Sequence, residues 1–556
     1  MLRLFADHER RLVQDLCGIW DFALTPDRQT VPDEFPERMP VPGCYDAMPA
    51  HLDYRGPAAY RTWFETDARR HRLVFEGVSH IARVLVDGQP VAWHSGAFTS
   101  FHVDLPAGIP GRHELVVLVD NSFDAEASPL HYSYFDWYTY GGIIRPVALH
   151  RLPPVWIEQM TVQTQDWRAG GLNLHIAWSR EADAPTEVEV VVLVDGEIVV
   201  KEPLACPEVA GSLEIPAIVP DPKPWSPAEP NLHTVQVRLG EDDLIERIGL
   251  RDVRVEGTQI LLNDEPIYLA GVNRHEAHPQ FGHSLPPELM LADIQWLKKL
   301  NCNFVRGSHY PQDVRFLDLC DEQGLLVWQE ATSWQARPDH LSDPAFVAAQ
   351  LQCIDEMVAQ SINHPSVIMW GILNEAASDD PTTRPAYERL LGRLRELDPS
   401  RPVTYASHRH LTDQHFDLAD IISLNIYPGW YFANLETMTD WLDNLMQGLK
   451  ERGWDKKPLI FSEFGAGAIY GWHDARNGKW SEPYQAKLLD IALNWMIAQP
   501  QVAGTAIWQF CDCLSSPERA TGRPREFNNK GLLDEYRRPK LAFDVVREIY
   551  ARAIKR

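Results

Sequence analysis

Residues 366–376 read SVIMWGILNEA, and residues 367–373 carry no charge, hydroxyl or amide before the run ends abruptly in Asn374-Glu375. An apolar, β-favouring run without polar alternation describes a strand buried on both faces, as in a parallel sheet covered on both sides. A carboxylate is costly in such a core. It has a place at the C-terminal mouth of a barrel, where functional side chains collect. Residues 458–465, PLIFSEFG, repeat the design, with Glu463 closing the apolar run Leu459-Ile460-Phe461.

The surrounding chain supports a barrel. From about residue 255 strand-like and helix-like segments alternate. Strands are expected at 267–272, 304–305, 325–328, 366–376, 403–406, 421–426, 459–461 and 504–507, and helices include 286–300, 314–320, 345–362 and 541–553. In the first helix Leu289, Ile294 and Leu297 fall on one face. Eight strand-like runs over roughly 300 residues match a C-terminal (β/α)8 TIM barrel spanning 255–556. Two acids, Glu375 and Glu463, on two strands facing one mouth form the arrangement that glycoside hydrolysis requires.

The first 254 residues follow a different grammar. Short strand-like runs (73–75, 82–86, 115–119) separated by Asp87-Gly88 and Pro110-Gly111 turns predict an N-terminal jelly-roll-like β-sandwich over 1–152. A second β-rich stretch, 153–254, has the length of one immunoglobulin-like β-sandwich. Its proline-rich segment 221–230 is unfit for a central strand and is expected on the surface. The chain is therefore read as multidomain, all-β followed by α/β.

A formal net charge of -26 argues against nucleic-acid and anionic-membrane partners. No apolar stretch is long enough to span a bilayer, and the charged N-terminus lacks a signal-peptide run. The eight cysteines lack zinc-ligand spacing and are read as reduced thiols in a cytoplasmic protein. Many of the 19 tryptophans belong to the core of a chain this large, although such rings also suit sugar faces.

Several motifs occur in one order: GGIIRPVALH (141–150), WSPAEPNLH (225–233), GVNRHE (271–276), VRGSHYP (305–311), HPSVIMWGILNEA (364–376) and SEFG (462–465). Together with the three-part layout they resemble glycoside hydrolase family 2. NIYPGWY (425–431) and Asn528-Asn529-Lys530 resemble, within it, the β-glucuronidases, whose Asn-x-Lys motif holds the substrate carboxylate. The chemistry agrees, since an ammonium and an amide NH2 both donate to carboxylate oxygens. In isolation, Asn528 and Lys530 would read as surface-turn residues.

The resemblance implies an exo-acting hydrolase of terminal β-uronides, glucuronides or galacturonides, that retains configuration through a glycosyl-enzyme. Glu375 is then the general acid/base and Glu463 the nucleophile, with carboxyl groups ~5–5.5 Å apart. Asn374 resembles the residue that binds the sugar 2-OH, and Tyr427 the tyrosine that orients the nucleophile. Tyr431, His309 and Trp508 resemble residues lining the sugar site. His309 is equally open to being a hydrogen-bonded residue under a loop. Arg306 either supports the nucleophile or pairs with a core acid. Asp136 either reaches the sugar 4-OH or forms a local turn.

One departure stands out. The family arginine four residues before the Asn of Asn-x-Lys is replaced by Pro524, with Arg523 and Arg525 on either side. Arg337, after the third strand, is a further cation; at the mouth it would favour an axial 4-OH. The expected partner is a small-molecule glycoside, a uronide, with no metal and no organic cofactor. Family members are often dimers or tetramers, which leaves homo-oligomerisation open. Alternatives are a β-galactosidase of the same family, which needs no Asn-x-Lys clamp, and a non-catalytic carbohydrate-binding protein on the same scaffold. A metal-hydroxide barrel enzyme would require histidines clustered at strand ends, a grouping absent here.

Overall fold

The computed structural model describes residues 2–123 and 135–555; Tyr134, the first residue of the Asp136 motif, lies outside them. The chain forms two antiparallel sandwiches and a closed parallel barrel of eight strands. In the first sandwich a six-stranded sheet, including Gly18–Leu24, Pro57–Thr66 and Gly111–Asp120, faces a four-stranded one that includes Arg70–Phe75 and Val147–Leu152. Trp20, Phe22, Tyr60, Phe64, Phe75 and Val117 fill the space between them. The second sandwich packs three strands (Val155–Asp166, Gly171–Arg180, Ala210–Ile218) on four (Glu187–Val194, Glu197–Ala205, His233–Leu239, Asp242–Ile248), an immunoglobulin-like arrangement.

The barrel strands are, in order, Leu269–Arg274, Phe304–Gly307, Leu326–Glu330, Val367–Ile372, Val403–Ser407, Ile422–Asn425, Leu459–Glu463 and Val502–Ile507. All pair in parallel, and strand one closes on strand eight through Leu269↔Gly504. Helix boundaries follow local chemistry. Asp313 and Asp343 cap Val314–Gln323 and Pro344–Ser361 by accepting from Arg315 N and Ala345 N, and Gly324 (φ 64°) ends the first of these. Gly371 interrupts the apolar run of strand four for a steric reason: a Cβ there would lie 2.0 Å from Trp328 Nε1.

The structure moves strand one two residues later than expected, from 267 to Leu269. Ile267 instead ends a three-stranded antiparallel meander, Val253–Glu256, Gln259–Leu262 and Glu265–Ile267. Asn263 (φ 53°) and Asp264 (φ 68°) make its second turn in the left-handed region that two-residue hairpins need. Val253, Ile260 and Leu262 pack with Leu269, Phe304, Leu326, Ile368 and Ile460 at the beginnings of the barrel strands, so the meander plugs the lower end. The upper end is left for the site. There, residues after 134 lean from the first sandwich onto the loop after strand eight: Phe135 N donates to Ser516 Oγ (3.0 Å) and Tyr138 N to Leu514 O (2.7 Å). Among the described residues no helix is long and apolar enough to cross a membrane.

Candidate active site

Strand four ends at Ile372, earlier than its apolar run. Leu373 (φ 42°) and Glu375 (φ 52°) then adopt left-handed backbone, a cost of about 1–3 kcal/mol each that the surroundings must hold. Two backbone bonds do so, Glu375 N to Ala406 O (2.8 Å) and Gln335 N to Asn374 O (2.7 Å). The turn delivers the Glu375 carboxylate to the cavity, where Asn425 Nδ2 donates to Oε1 and Gln335 Nε2 to Oε2, each at 3.0 Å. Glu463 is the last residue of strand seven. Its Oε1 accepts from Arg306 Nη1 (2.9 Å) and its Oε2 from Tyr427 Oη (2.7 Å).

Arg306, fully buried on strand two, joins these groups. Besides Glu463 it donates to Glu330 Oε2 through Nε (2.9 Å) and Nη2 (2.7 Å), to Asn273 Oδ1 (3.0 Å) and to Asn374 Oδ1 (2.9 Å). Arg306 thus meets the strand-seven acid and a core acid at once. Asn374 Oδ1 also accepts from Asn425 Nδ2 (3.0 Å), which completes a hydrogen-bonded path between the two carboxyls. The Asn374 amide nitrogen is buried and has no partner. His309 pairs with Glu330 Oε1 (3.0 Å) and stacks on Trp508 at 5.1 Å, so it is both held under a loop and part of the cavity wall.

The carboxyls are electrostatically unequal. Burial, then the neighbouring Glu375 charge, raise Glu463 to about 8 against the pull of Arg306 and Tyr427. Burial also opposes ionisation of Glu375, but His408 and the Gln335 and Asn425 amides outweigh it and hold Glu375 below its ordinary value. Burial lifts Glu330 to about 7 despite Arg306, and burial beside Arg306 keeps His309 neutral.

The cavity above these groups measures about 290 Å³. Of the anticipated residues, Glu375, Glu463, Asp136, Tyr427, Tyr431, His309, Trp508 and Lys530 line it. Asp136 arrives from the first sandwich and is held by Arg523, whose Nε donates to Oδ1 at 2.8 Å and whose Nη2 bonds Oδ2. Asn528 sits just behind, its Nδ2 donating to Asp136 Oδ2 (3.3 Å) and its buried Oδ1 unpartnered. Lys530 is 2% exposed, with its ammonium 5.7 and 5.3 Å from the Tyr427 and Tyr431 ring centres. Among the described residues it forms no ion pair.

Arg337 is not among the described residues that line the cavity. It stands at the N-terminus of the short helix Pro338–Ser342, half exposed, and donates to Asp339 Oδ2 at 2.9 Å. Of the two arginines beside Pro524, Arg523 turns in to Asp136, whereas Arg525 turns away to Glu535 (3.0 Å) and Asn529 (2.8 Å). Sequence reading missed Glu330, Asn425, Gln335, His408 and Arg519. Glu330 carried a usable signal: LVWQE ends an apolar strand in a glutamate, as the two other acid motifs do. The one described group with metal-ligand spacing, Asp318, Asp321 and His364, already holds a cation, because Arg3 Nη2 donates to Asp318 Oδ1 at 2.6 Å.

Residues 253–554 match the family described as glycosyl hydrolases family 2, TIM barrel domain, and residues 155–251 match glycosyl hydrolases family 2. A β-glucuronidase of Paenibacillus borealis is 30% identical, covering 97% of this chain and 96% of its own. A GH2 β-galacturonidase from Eisenbergiella tayi, solved bound to galacturonate, superposes with a TM-score of 0.94 at 38% identity over 99% of both chains. A β-D-glucuronidase from Dictyoglomus thermophilum gives 0.84 at 27% identity, again over 99% of both.

Proposed function

Because the chain belongs to the glycosyl hydrolases of family 2, we propose that it is a retaining exo-β-uronidase that removes terminal β-galacturonide or β-glucuronide residues. The observation that carries the substrate class is Lys530, an ammonium buried to 2% exposure without a carboxylate partner, in the cavity that holds Glu375 and Glu463. Asp136 acts on this ammonium only from beyond ion-pair distance; a buried charge without a close counter-ion is costly, and an anionic substrate group relieves it. Asn528, two residues before it, stands behind the cavity with its Nδ2 on Asp136, so the charge of Lys530 carries the reading. The greater likeness to the β-galacturonidase supports galacturonides as the better of the two.

In this reading Glu375 gives its proton to the glycosidic oxygen as Glu463 attacks C1, and the C1–O bond breaks with its electron pair on the leaving group. The resulting ester with Glu463 is hydrolysed by a water that gives its proton to Glu375, so two inversions leave the β configuration unchanged. In this reading the Asn374 amide nitrogen, buried without a protein partner, donates to the sugar 2-OH, a bond that strengthens as the oxocarbenium-like state forms.

The test is kcat/KM on aryl β-galacturonide, β-glucuronide and β-galactoside. Uronides are expected ahead of the galactoside by at least roughly 10²-fold, the worth of one buried charge-assisted contact. A galactoside ahead of both would overturn the reading.

The carboxyl pair also sets the pH dependence. The two groups repel, so their titrations belong to the pair. Below the depressed Glu375 value both are protonated; above about 8 neither is. Only the one-proton state contains the reactive form, with Glu375 protonated and Glu463 ionised. A bell-shaped kcat/KM profile is therefore expected, with its acid limb below the ordinary glutamate range and its alkaline limb near 8. Activity still rising at pH 9 would contradict this pairing.

A further inference from the structure

A second cavity, of about 440 Å³, adjoins the first and shares His408 and His410 with it. Its size falls in the range of small-ligand sites, roughly 300–1,000 Å³. It lies between the loop after strand five and the helix Met438–Glu451, which contributes Trp441 and Asn444. An aromatic wall connects the cavities. Phe432 and His410 line the first; Phe432 meets Trp441 at 4.9 Å and His410 meets it at 5.6 Å, and His410 and Trp441 line the second. His410 is fixed by Nε2, 3.0 Å from Asn425 O, the residue whose amide also holds Glu375.

Position decides what such a cavity receives. The uronate group is assigned to Lys530, on the loop after strand eight. The leaving group must lie beside the acid that protonates its oxygen. His410 lies 3.0 Å from the carbonyl of Asn425, whose amide donates to Glu375, so the shared wall is on the acid's side. A chain of atoms leaving C1 past Glu375 therefore enters the second cavity. Its lining combines one broad aromatic face, Trp441, with the polar side chains of Asn444, Thr412 and Arg409. That combination suits a pyranose, apolar on its faces and hydroxylated at its edge, better than a flat aryl group.

We propose that this cavity binds the leaving-group end of an oligosaccharide, with a sugar ring stacked on Trp441, so that the natural substrates are uronide-terminated oligosaccharides and not small conjugates. The inference rests on the exo-β-uronidase reading. Its test compares kcat/KM on an aryl β-uronide and on a β-uronide-terminated trisaccharide for the full chain, for Trp441→Ala, and for Asn444→Arg. The last fills the cavity from an exposed position and spares the core if the tryptophan change unfolds the helix. Expected is a roughly tenfold loss on the trisaccharide in each variant, with the aryl uronide within about twofold of wild type. Wild-type cleavage of the aryl uronide without a selective loss in the variants overturns this proposal alone. Failure of the wild type on both uronides overturns the uronidase reading as well.

Discussion

Glu463→Ala is expected to lower kcat on an aryl β-uronide by roughly 10⁴-fold or more, the scale on which removal of a covalent nucleophile is felt. The loss alone does not assign the role, because Glu375→Ala also damages turnover and because the free site holds one proton that either acid can carry. The assignment comes from rescue by azide. In Glu463→Ala the small anion occupies the space of the missing carboxylate and attacks C1 once, giving the α-glycosyl azide. In Glu375→Ala the glycosyl-enzyme still forms from a substrate whose leaving group needs no proton, such as a dinitrophenyl uronide. Azide then attacks from the side of the departed group and gives the β-glycosyl azide. Exchanged product configurations would mean exchanged roles. The electrostatics make this a demanding test, since they favour the proton on Glu463 in the empty site. For the assigned roles to hold, a sugar must draw the proton to Glu375, through positive charge growing at C1 beside Glu463 and a glycosidic oxygen accepting from Glu375.

The parts of this site that were legible from the chain are those fixed by burial along a single strand. An apolar run that stops at a carboxylate points to Glu375 and Glu463, because burial on both faces and a charged end coexist at the C-terminal edge of a covered parallel sheet, here a barrel mouth. The parts that were not legible depend on residues far apart in the chain meeting. Asp136 meets Arg523 across 387 positions, and no local rule chooses Arg523 over Arg525. The choice is made by the backbone, where Arg525 (φ 63°) and Glu526 (φ 62°) turn through the left-handed region and send Arg525 toward Glu535. Arg337 failed to reach the mouth for a local reason that sequence only hints at: Pro338 starts a helix, and Asp339 within its first turn captures the guanidinium. Glu330 was overlooked because the third strand was ended at Trp328, two residues short of the acid that closes it.

Lys530→Met should reduce kcat/KM on β-uronides by about 10²–10³-fold, while leaving an aryl β-galactoside unchanged or faster. Methionine keeps most of the side chain's volume and removes only the charge. A hydrogen bond to a charged group is worth about 1.5–3 kcal/mol, and a buried charge deprived of its partner costs about 3–5 kcal/mol, which brackets that loss. A galactoside has no carboxylate and so loses nothing with the ammonium. In the variant its neutral hydroxymethyl group also no longer faces an ammonium that lacks its counter-ion. The comparison separates two roles that a single substrate would confuse. If Lys530 serves the fold by resting on Tyr427 and Tyr431, then displacing Tyr427 disturbs Glu463, to which it donates at 2.7 Å, and every glycoside slows alike. If Lys530 reads the carboxylate, the ratio of uronide to galactoside rates collapses. Arg523 does not substitute for it, because its guanidinium is already committed to Asp136.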